Sequence, residues 1–349
     1  MRYLIKCNPG LEDVSRLEVL EELPGASIVE ERSGRGRLII EYGGPLHPFY
    51  SMRSIHSASI LLYEGRVDYS RESLSLIEAY TVQSGVHRYI PYGGSFAVRA
   101  ERIGEGHEYT SMDVARVVGR AVQESYRGEY GVTPEVRLEA PAVSVMAEVD
   151  DTVFRIGVYL VGERSGHRRG YRVYDHPAAL KPTLAYALLR LSGARDSSVI
   201  VDPMCGGGTV AIEAALLYED ARILCIDRNR RHIEGAMRNA LAARVYDRIE
   251  FMVGDARRLP ELVGYDSIDY AASNPPYGIR LGDPYSVRRL YSDFIPALYD
   301  SMKSGGRASL VTTESSHVLS VGRRAGFRLA HIRKVRHGDL WVSLIVLEK

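Results

Sequence analysis

The carboxyl-terminal half of the chain alternates short runs of apolar residues with longer amphipathic stretches. The apolar runs predict buried strands at 198–201, 222–226, 249–253, 267–272 and 307–311. The stretches between them predict helices at 184–191, 209–218, 230–243 and 288–302. This alternation favours an α/β fold with a doubly wound parallel sheet. The last two predicted strands, 327–335 and 341–347, flank a turn too short for a helical crossover, so we expect them to be antiparallel.

The amino-terminal half mixes short strands with amphipathic helices. A predicted strand at 3–6 precedes a helix that carries Leu11, Val14, Leu17 and Leu20, and strands at 27–31 and 37–42 follow. This order is typical of an α+β, ferredoxin-like unit. After residue 66 we predict helices at 73–84 and 111–126 and strands at 95–100, 143–149 and 152–160. The predicted organisation is a ferredoxin-like domain at 1–65, a second α+β domain at 66–165, a linker at 166–182 and the parallel-sheet domain at 183–349.

Composition narrows the class of protein. The 349 residues, of which 45% are hydrophobic and 26% charged, suit two or three globular domains and exclude bulk disorder. Because the sequence has no apolar run of about 18 residues and no signal-like start, we expect a cytoplasmic protein without a membrane partner. The three cysteines, Cys7, Cys205 and Cys225, have no metal-ligand spacing, so no metal site is predicted.

Arginine dominates the positive charge. The net charge is only +1, but five Lys accompany 40 Arg. Two basic clusters stand out, one at Arg164, Arg168, Arg169 and Arg172, and one at Arg323, Arg324, Arg328, Arg333, Lys334 and Arg336. Arginine binds phosphate through two parallel hydrogen bonds and stacks on bases, which suits RNA. A solvated protein surface explains either cluster alone equally well.

A glycine-rich turn follows the first strand of the parallel-sheet domain. It comprises Asp202, Pro203, Met204, Cys205, Gly206, Gly207, Gly208 and Thr209, and a predicted helix begins there. Glycines let the backbone approach a ligand, and a helix N-terminus attracts a carboxylate. The spacing matches neither the dinucleotide fingerprint nor a P-loop. Tight packing alone is the alternative explanation.

Acidic residues end or follow three consecutive predicted strands. Asp202, Asp227 and Asp255 each stand at the carboxyl end of a strand, where open α/β sheets bind ligands. Asp227 is placed to hold ribose hydroxyls, and Asp255 to accept from an adenine amine. A single such residue is more often a helix cap, but three in register favour a nucleoside cofactor.

The tetrapeptide Asn274-Pro275-Pro276-Tyr277 follows the fourth strand of the parallel-sheet domain. Two prolines fix the backbone, so the Pro275 carbonyl and the Asn274 side-chain oxygen form a rigid pair of acceptors. Such a pair can take both hydrogens of an exocyclic amine, and Tyr277 offers a ring on which a flipped base stacks. The alternative is an Asn-Pro turn beside a core tyrosine.

These motifs resemble a known family. The tetrapeptide resembles the signature of methyltransferases that act on exocyclic amines of nucleic-acid bases. The stretches GHRRGYRVYDHPAALKPTLAYALLRL, DPMCGGGT and NPPYGIRLGD are similar to the THUMP-containing RNA guanine-N2 methyltransferases. A THUMP domain is resembled by the stretch FAVRAERIGEGHEYTSMDVARVVGRAV. The ferredoxin-like domain that precedes THUMP in this family is resembled by CNPGLEDVSRLEVLEEL. The resemblance covers nearly the full length, and the best match is to the tRNA methyltransferases that modify guanosine 6.

The resemblance implies a class I, Rossmann-like methyltransferase domain that uses S-adenosylmethionine, behind a THUMP domain at 66–165. It implies cofactor binding by Asp202, Pro203, Met204, Cys205, Gly206, Gly208, Thr209, Asp227, Arg228, Asp255, Ala256, Asn274 and His176. It implies that Asn274, Pro275, Pro276 and Tyr277 present the guanine amine. It further implies that the protein is a monomer and that its partner is tRNA, bound at the acceptor stem and 3′ end. The residues implied to bind this RNA are Arg164, Arg168, Arg169, Arg172, Lys181 and Arg280.

Other functions stay open from the sequence. A near relative methylates or dimethylates guanosine 10 of tRNA, and another RNA guanosine is also possible. A DNA adenine-N6 methyltransferase shares the tetrapeptide, although we expect no DNA partner because the recognition domain differs. A binding-only RNA protein would keep the domains beside an inactive pocket.

Overall fold

The computed structural model describes residues 1–162, 169–175, 179–277, 284–338 and 340–349. The chain divides into two compact units. The first unit comprises Met1–Lys6, Val19–Arg32 and Arg37–Gly166, and the second comprises Cys7–Glu18, Ser33–Gly36 and His167–Lys349.

An eight-stranded sheet forms the first unit, in the order β2-β3-β1-β4-β8-β7-β5-β6. Its strands are β1 (Arg2–Cys7), β2 (Ser27–Arg32), β3 (Arg37–Glu41), β4 (Ile55–Arg66), β5 (Ser95–Ile103), β6 (Glu135–Val136), β7 (Val143–Asp150) and β8 (Val153–Val161). The helices along this part of the chain are α1 (Glu12–Glu22), α2 (Pro48–Ser51), α3 (Ser73–Ser84) and α4 (Ser111–Tyr130). Strands from both sides of the predicted boundary at residue 65 share this sheet. The predicted domain boundaries stay predictions.

The helix α4 shows how local sequence sets an element of this unit. The Thr110 hydroxyl accepts from the Asp113 amide at 3.2 Å, and the Asp113 carboxylate accepts from the Thr110 amide at 2.9 Å. This reciprocal capping box satisfies two N-terminal donors. Val114 and Val118 bury one helix face, and Gly131, at φ +74°, ends the helix in a left-handed conformation.

Charged side chains are buried within the first unit. Lys6 Nζ lies 2.9 Å from a Glu148 carboxylate oxygen, and Arg37 lies 2.8 Å from the same oxygen. Burial alone would raise the pKa of Glu148, but Lys6 and Arg37 lower it to about 2. Arg155, completely buried, contacts Glu64 at 2.6 Å. Loss of one partner from such a cluster leaves the remaining buried charges less well compensated.

The second unit contains a seven-stranded sheet in the order β11-β10-β9-β12-β13-β15-β14. Its strands are β9 (Val199–Asp202), β10 (Arg222–Asp227), β11 (Ile249–Val253), β12 (Ile268–Ser273), β13 (Met302–Thr312), β14 (Arg328–His337) and β15 (Leu340–Glu348). Its helices are α5 (Pro182–Ser192), α6 (Thr209–Leu217), α7 (Arg230–Ala242), α8 (Leu259–Val263), α9 (Pro284–Ser301) and α10 (Ser315–Ala325).

Strands β9 to β13 pair in parallel, while β15 pairs antiparallel with both β13 and β14. The predicted parallel sheet with an antiparallel carboxyl-terminal hairpin is therefore confirmed. The carboxyl ends of β9, β10, β12 and β13 share one edge, and β14 runs in the same direction as β13, so it ends at this edge too. Strand β9 lies between β10 and β12, which places the topological switch point of the sheet there.

Two apolar layers cover the sheet of the second unit. One layer contains Leu184 and Leu188 of α5, Ile212 of α6 and Ile233 of α7. The other contains α9 and α10, with Phe294 completely buried. Helix α5 is apolar on almost every side, as expected for a helix enclosed by protein. Within the described residues, no helix combines the length and apolar character needed to cross a membrane.

Candidate active site

The glycine turn after β9 forms a close-fitting cradle. Gly206 has φ +51° and Gly208 has φ +79°, both in the left-handed region that favours glycine. A Cβ on Gly208 would lie 2.9 Å from the Ala236 Cβ, so a side chain there would push the turn away from α7. Helix α6 begins at Thr209 without a side-chain cap from Gly208. Its first backbone amides therefore suit an anionic ligand group such as a carboxylate.

Asp202 ends β9 and is buried beneath this turn. Its Oδ1 accepts from the Ser273 hydroxyl at 2.7 Å and from the Met204 amide at 3.2 Å. Burial, together with a smaller effect of the Asp227 charge, raises the pKa of Asp202 to about 7 despite these hydrogen bonds. Among the residues that the structure describes, no Lys, Arg or His pairs with Asp202. Such a carboxyl group fits a cationic ligand group, because a neighbouring positive charge would stabilise its ionised form.

Asp227 ends β10 and braces the turn from the other side. Its Oδ2 accepts from the Gly206 amide at 3.0 Å, and its Oδ1 accepts from the Asn229 amide at 2.8 Å. The His232 ring nitrogen Nδ1 lies 3.2 Å from the same Oδ1. Asp227 thus couples the end of β10 to the glycine turn, a role the sequence did not indicate. The predicted contact of Asp227, and of the exposed Arg228, with ribose stays a prediction.

Asp255 follows β11 and caps a short helical turn at Ala256–Arg258. Its carboxylate accepts from the Arg257 amide at 3.0 Å and from the Arg257 guanidinium at 2.5 to 3.1 Å. Hydrogen bonds from Arg257 hold the pKa of Asp255 below its usual value. The capping role that the sequence left open is therefore present. Contact of Asp255 and the buried Ala256 with adenine stays a prediction.

The tetrapeptide begins where β12 ends. The Tyr277 hydroxyl donates to Asn274 Oδ1, and the Pro275 residue between them is buried. Burial, with a smaller effect from Tyr291, raises the pKa of Tyr277, so this hydroxyl stays neutral and acts as a donor. Because an amide oxygen has two lone pairs, Asn274 can accept a second hydrogen bond from a substrate.

Side chains from neighbouring elements also contact the Pro276 carbonyl and the Tyr277 ring of the tetrapeptide. The Tyr291 hydroxyl lies 2.9 Å from Thr312 Oγ1 and 3.4 Å from the Pro276 carbonyl oxygen. The Tyr277 ring meets the His337 ring edge to face, with centroids 6.4 Å apart. Elements β13, α9 and β14 therefore all contribute to this part of the site.

Two positioning residues escaped the sequence analysis. Ser273, directly before the tetrapeptide, bonds Asp202 and so joins the cofactor side to the substrate side. Asn239 Nδ2 donates to the Gly207 carbonyl at 2.9 Å and to the Tyr174 carbonyl at 3.0 Å, and its Oδ1 accepts from the Tyr174 amide. Asn239 could have been found in the sequence, because it is a polar residue on the otherwise apolar face of α7.

The basic residues predicted to bind RNA divide into two groups. Arg164, Arg168 and Arg280, and likewise the proposed cofactor residue His176, lie outside the described residues. Arg169 lies 3.6 Å from the buried Glu213, Arg172 contacts Asp175 at 2.8 Å, and Lys181 precedes α5. Binding of RNA by any of them stays a prediction.

The fold and the site together define a class. A seven-stranded sheet of this order, with a glycine cradle, acidic groups at consecutive strand ends and an Asn-Pro-Pro-Tyr turn beside them, is that of an S-adenosylmethionine-dependent methyltransferase acting on an amine. Comparison with known proteins narrows the class. Residues 169–343 match the RMKL-like methyltransferase domain and residues 73–159 match the THUMP domain, so the chain belongs to the THUMP-containing RMKL-like methyltransferases.

Relatives extend over the whole chain. The tRNA (guanine(6)-N2)-methyltransferase of Archaeoglobus fulgidus is 33% identical over 99% of this chain and 92% of its own length. The protein of the same name from Thermus thermophilus is 34% identical over 98% of both chains. The crystal structure of TrmN from Thermus thermophilus superposes with a TM-score of 0.83 at 31% identity and covers 100% of both chains.

Proposed function

We propose that this protein transfers a methyl group from S-adenosylmethionine to the N2 amine of guanosine 6 in the acceptor stem of tRNA. The observation that carries the proposal is the Asn274-Pro275-Pro276-Tyr277 turn, joined through Ser273 to the buried carboxyl of Asp202. Relatives with the name of this activity are 31 to 34% identical over at least 98% of the chain.

The cofactor cradle suits the charged ends of S-adenosylmethionine. The first amides of α6 are placed for its carboxylate, and Asp202 for its ammonium group. Asp227 and Arg228 would hold the ribose, with Asp255 and Ala256 at the adenine. When bound there, the cofactor supplies an electrophilic methyl group. The chain's own contribution is to bind both reactants in a fixed orientation, which accounts for a large part of the barrier in bimolecular reactions.

The substrate amine is activated by its acceptors. The lone pair of a guanine N2 is delocalised into the ring, so it is a poor nucleophile. Asn274 Oδ1 and the Pro275 carbonyl would accept its two hydrogens and direct its lone pair out of the ring plane. The neutral Tyr277 hydroxyl, bonded to Asn274, fixes that amide and is no base, so the proton of the product is released to solvent.

The target nucleotide must leave the helix to reach this site. The N2 amine of a paired guanosine lies in the minor groove, and flipping the base costs a few kcal/mol of stacking and pairing. The Tyr277 ring, held edge to face by His337, offers a stacking surface for the flipped base. Site selection is assigned to the amino-terminal half, whose THUMP domain would grip the 3′ end of tRNA and measure the distance along the acceptor stem.

The remaining expectations accompany this proposal. They are a cytoplasmic monomer, RNA contacts by Arg164, Arg168, Arg169, Arg172, Lys181 and Arg280, and cofactor binding by His176. Domain limits at 1–65, 66–165, 166–182 and 183–349 belong to the same proposal.

Mass spectrometry of nucleosides, with positional mapping, tests the proposed activity. Unmodified tRNA transcript is incubated with the protein and S-adenosylmethionine, then digested with a base-specific nuclease, and double-stranded DNA is incubated and analysed in parallel. The expected product is N2-methylguanosine at position 6 alone. Methylation at guanosine 10, dimethylation, or methylation of adenine in DNA would replace the proposal by one of the alternatives, and no methylation of any substrate would favour a binding-only protein.

A further inference from the structure

The basic cluster at 323–336 separates into paired and unpaired members. Arg333 forms two contacts with the Asp13 carboxylate, at 2.6 and 2.9 Å, and Arg328 lies 2.6 Å from Glu348. By contrast, Lys334 and Arg336 are exposed and pair with no carboxylate among the described residues. Arg336 Nε donates to the Gly338 carbonyl at 3.2 Å, which uses one of its five N–H donors. Among the described residues, therefore, two positive charges at one end of β14 have no acidic partner.

The one tryptophan of the chain lies directly beside these charges. Trp341 is 55% exposed and is the cross-strand partner of Arg336 in the β14–β15 ladder. Lys334, two residues before Arg336, shares the same sheet face, since side chains alternate along a strand. We call Lys334, Arg336 and Trp341 the hairpin patch. The hairpin patch therefore offers one exposed aromatic ring beside two cations.

The hairpin patch lies near the carboxyl ends of the parallel strands, where the candidate active site is. Strand β14 runs in the direction of β12 and β13, so its last residues stand at their carboxyl ends. The His337 ring, next to Arg336 at the end of β14, contacts the Tyr277 ring of the tetrapeptide, so this strand end lies beside the tetrapeptide. Because side chains alternate along a strand, the hairpin patch lies on the other face of the hairpin from this contact.

We propose that the hairpin patch is a substrate-binding surface for the RNA around the target nucleotide. The Trp341 indole stacks on a base that loses its stacking partner when the target flips out, and Lys334 and Arg336 bind the adjacent phosphates. The inference rests on the proposed function, because it needs an RNA substrate at the tetrapeptide. Base stacking on an aromatic ring and phosphate binding by paired cations are the two interactions that an opened RNA helix offers.

The exposed tryptophan, together with the two cations, favours RNA over a second protein chain as the occupant of the hairpin patch. Strand β14 is the edge of its sheet, and charged residues on an edge commonly prevent pairing with another strand. That function needs lysine and arginine but gains nothing from a half-exposed tryptophan. Only a polyanion with aromatic groups complements all three side chains of the hairpin patch.

Tryptophan fluorescence tests the proposal on the wild-type protein. Because Trp341 is the only tryptophan, its emission reports the patch alone. Saturating unmodified tRNA is expected to change the emission and to protect the indole from acrylamide quenching. Trp341→Ala should weaken tRNA binding about tenfold or more, since a stacked base contributes that much, and Trp341→Phe should restore most of it. Lys334→Ala with Arg336→Ala should make the negative slope of log affinity against log salt shallower by roughly 1.4 to 1.8.

Matched controls separate this role from a structural one. Tyr265→Ala removes an aromatic ring that is 71% exposed. Tyr265 precedes the amino end of β12, which is the end of the strand away from the candidate active site. Arg328→Ala removes a paired cation from the other end of β14. Both should leave tRNA affinity unchanged, and all variants should keep wild-type cofactor affinity and melting temperature.

Two results would overturn the inference without touching the proposed function. In the first, the wild-type protein methylates tRNA, but tRNA does not change the acrylamide quenching of Trp341. In the second, Trp341→Ala binds and methylates tRNA as well as Tyr265→Ala does. If the wild type neither binds nor methylates tRNA, the proposed function itself fails. Self-association that disappears in Trp341→Ala would instead assign the patch to a second copy of the chain.

Discussion

Lowering the pH from 7 to 5 is expected to weaken the binding of S-adenosylmethionine through Asp202. Burial raises the pKa of this carboxyl to about 7 in the cofactor-free protein. A ligand ammonium group binds the ionised carboxylate, so affinity follows the ionised fraction. That fraction is about one half at pH 7, about one eleventh at pH 6 and about one hundredth at pH 5. The dissociation constant should therefore rise about fivefold at pH 6 and about fiftyfold at pH 5, the latter equivalent to about 2.3 kcal/mol.

Isothermal titration calorimetry measures this linkage. Below pH 7 the amino group of the cofactor stays mostly protonated. Titrations at pH 5, 6 and 7, in buffers of different ionisation enthalpy, should show nearly one proton released per cofactor bound at pH 5 and about half a proton at pH 7. Ser273→Ala should move the transition to higher pH, because the Ser273 hydrogen bond lowers the pKa of Asp202.

Asp202→Asn is the matched control. It should bind the cofactor weakly and with little dependence on pH. The same group also affects folding: between about pH 4 and 7 the folded protein retains a proton that the unfolded chain releases, so the free energy of unfolding falls as the pH rises through this interval. Asp202→Asn should remove that decline. Flat wild-type affinity from pH 5 to 7, or an equal slope in Asp202→Asn, would refute the assignment of Asp202 to a cationic ligand group.

Three further outcomes are expected. Asn274→Ala should leave cofactor affinity within about twofold and reduce the single-turnover methylation rate at least about a hundredfold, because the amine loses an acceptor used mainly in the transition state; a rate near that of the wild type would exclude amine presentation by Asn274. Lys6→Met should destabilise the first unit by about 1 to 3 kcal/mol in urea denaturation, because the buried Glu148 loses one of its two close cations and keeps only Arg37; unchanged stability would contradict the ion pairing. Removing the four 3′-terminal nucleotides of tRNA should lower methylation strongly at unchanged cofactor affinity, whereas undiminished methylation of the shortened tRNA would exclude the 3′ end as an anchor.

Elements with strong periodicity were predictable from the sequence. The helix at 73–84 and the strand at 249–253 have the predicted limits, and the antiparallel final hairpin follows from its short turn. Strand β4 was missed because two register shifts, at Ala58/Ser59 and Leu61/Tyr63, break its alternation of polar and apolar residues. Helix α10 was missed because its polar stretch offers few apolar positions, and its buried face is limited to Val318, Val321 and Gly322.

The candidate site was predictable as a set of motifs but not as a network. Consecutive strand ends place Asp202, Asp227 and Asp255 along one edge, as the sequence indicated. The partners of these groups depend on tertiary packing: Asp227 bonds the Gly206 amide, and Ser273 bonds Asp202 from a neighbouring strand. The raised pKa of Asp202 likewise results from burial, which no local pattern of residues reveals.

Replacing guanosine 6 of the tRNA by inosine tests the central claim most directly. Inosine differs from guanosine only in lacking the N2 amine, so the shape and backbone of the acceptor stem are preserved. The account predicts that the inosine-substituted tRNA binds with nearly unchanged affinity and accepts no methyl group at any position, while the unsubstituted transcript is methylated once. Methylation of the inosine-substituted tRNA to the same extent as the unsubstituted transcript would contradict the account.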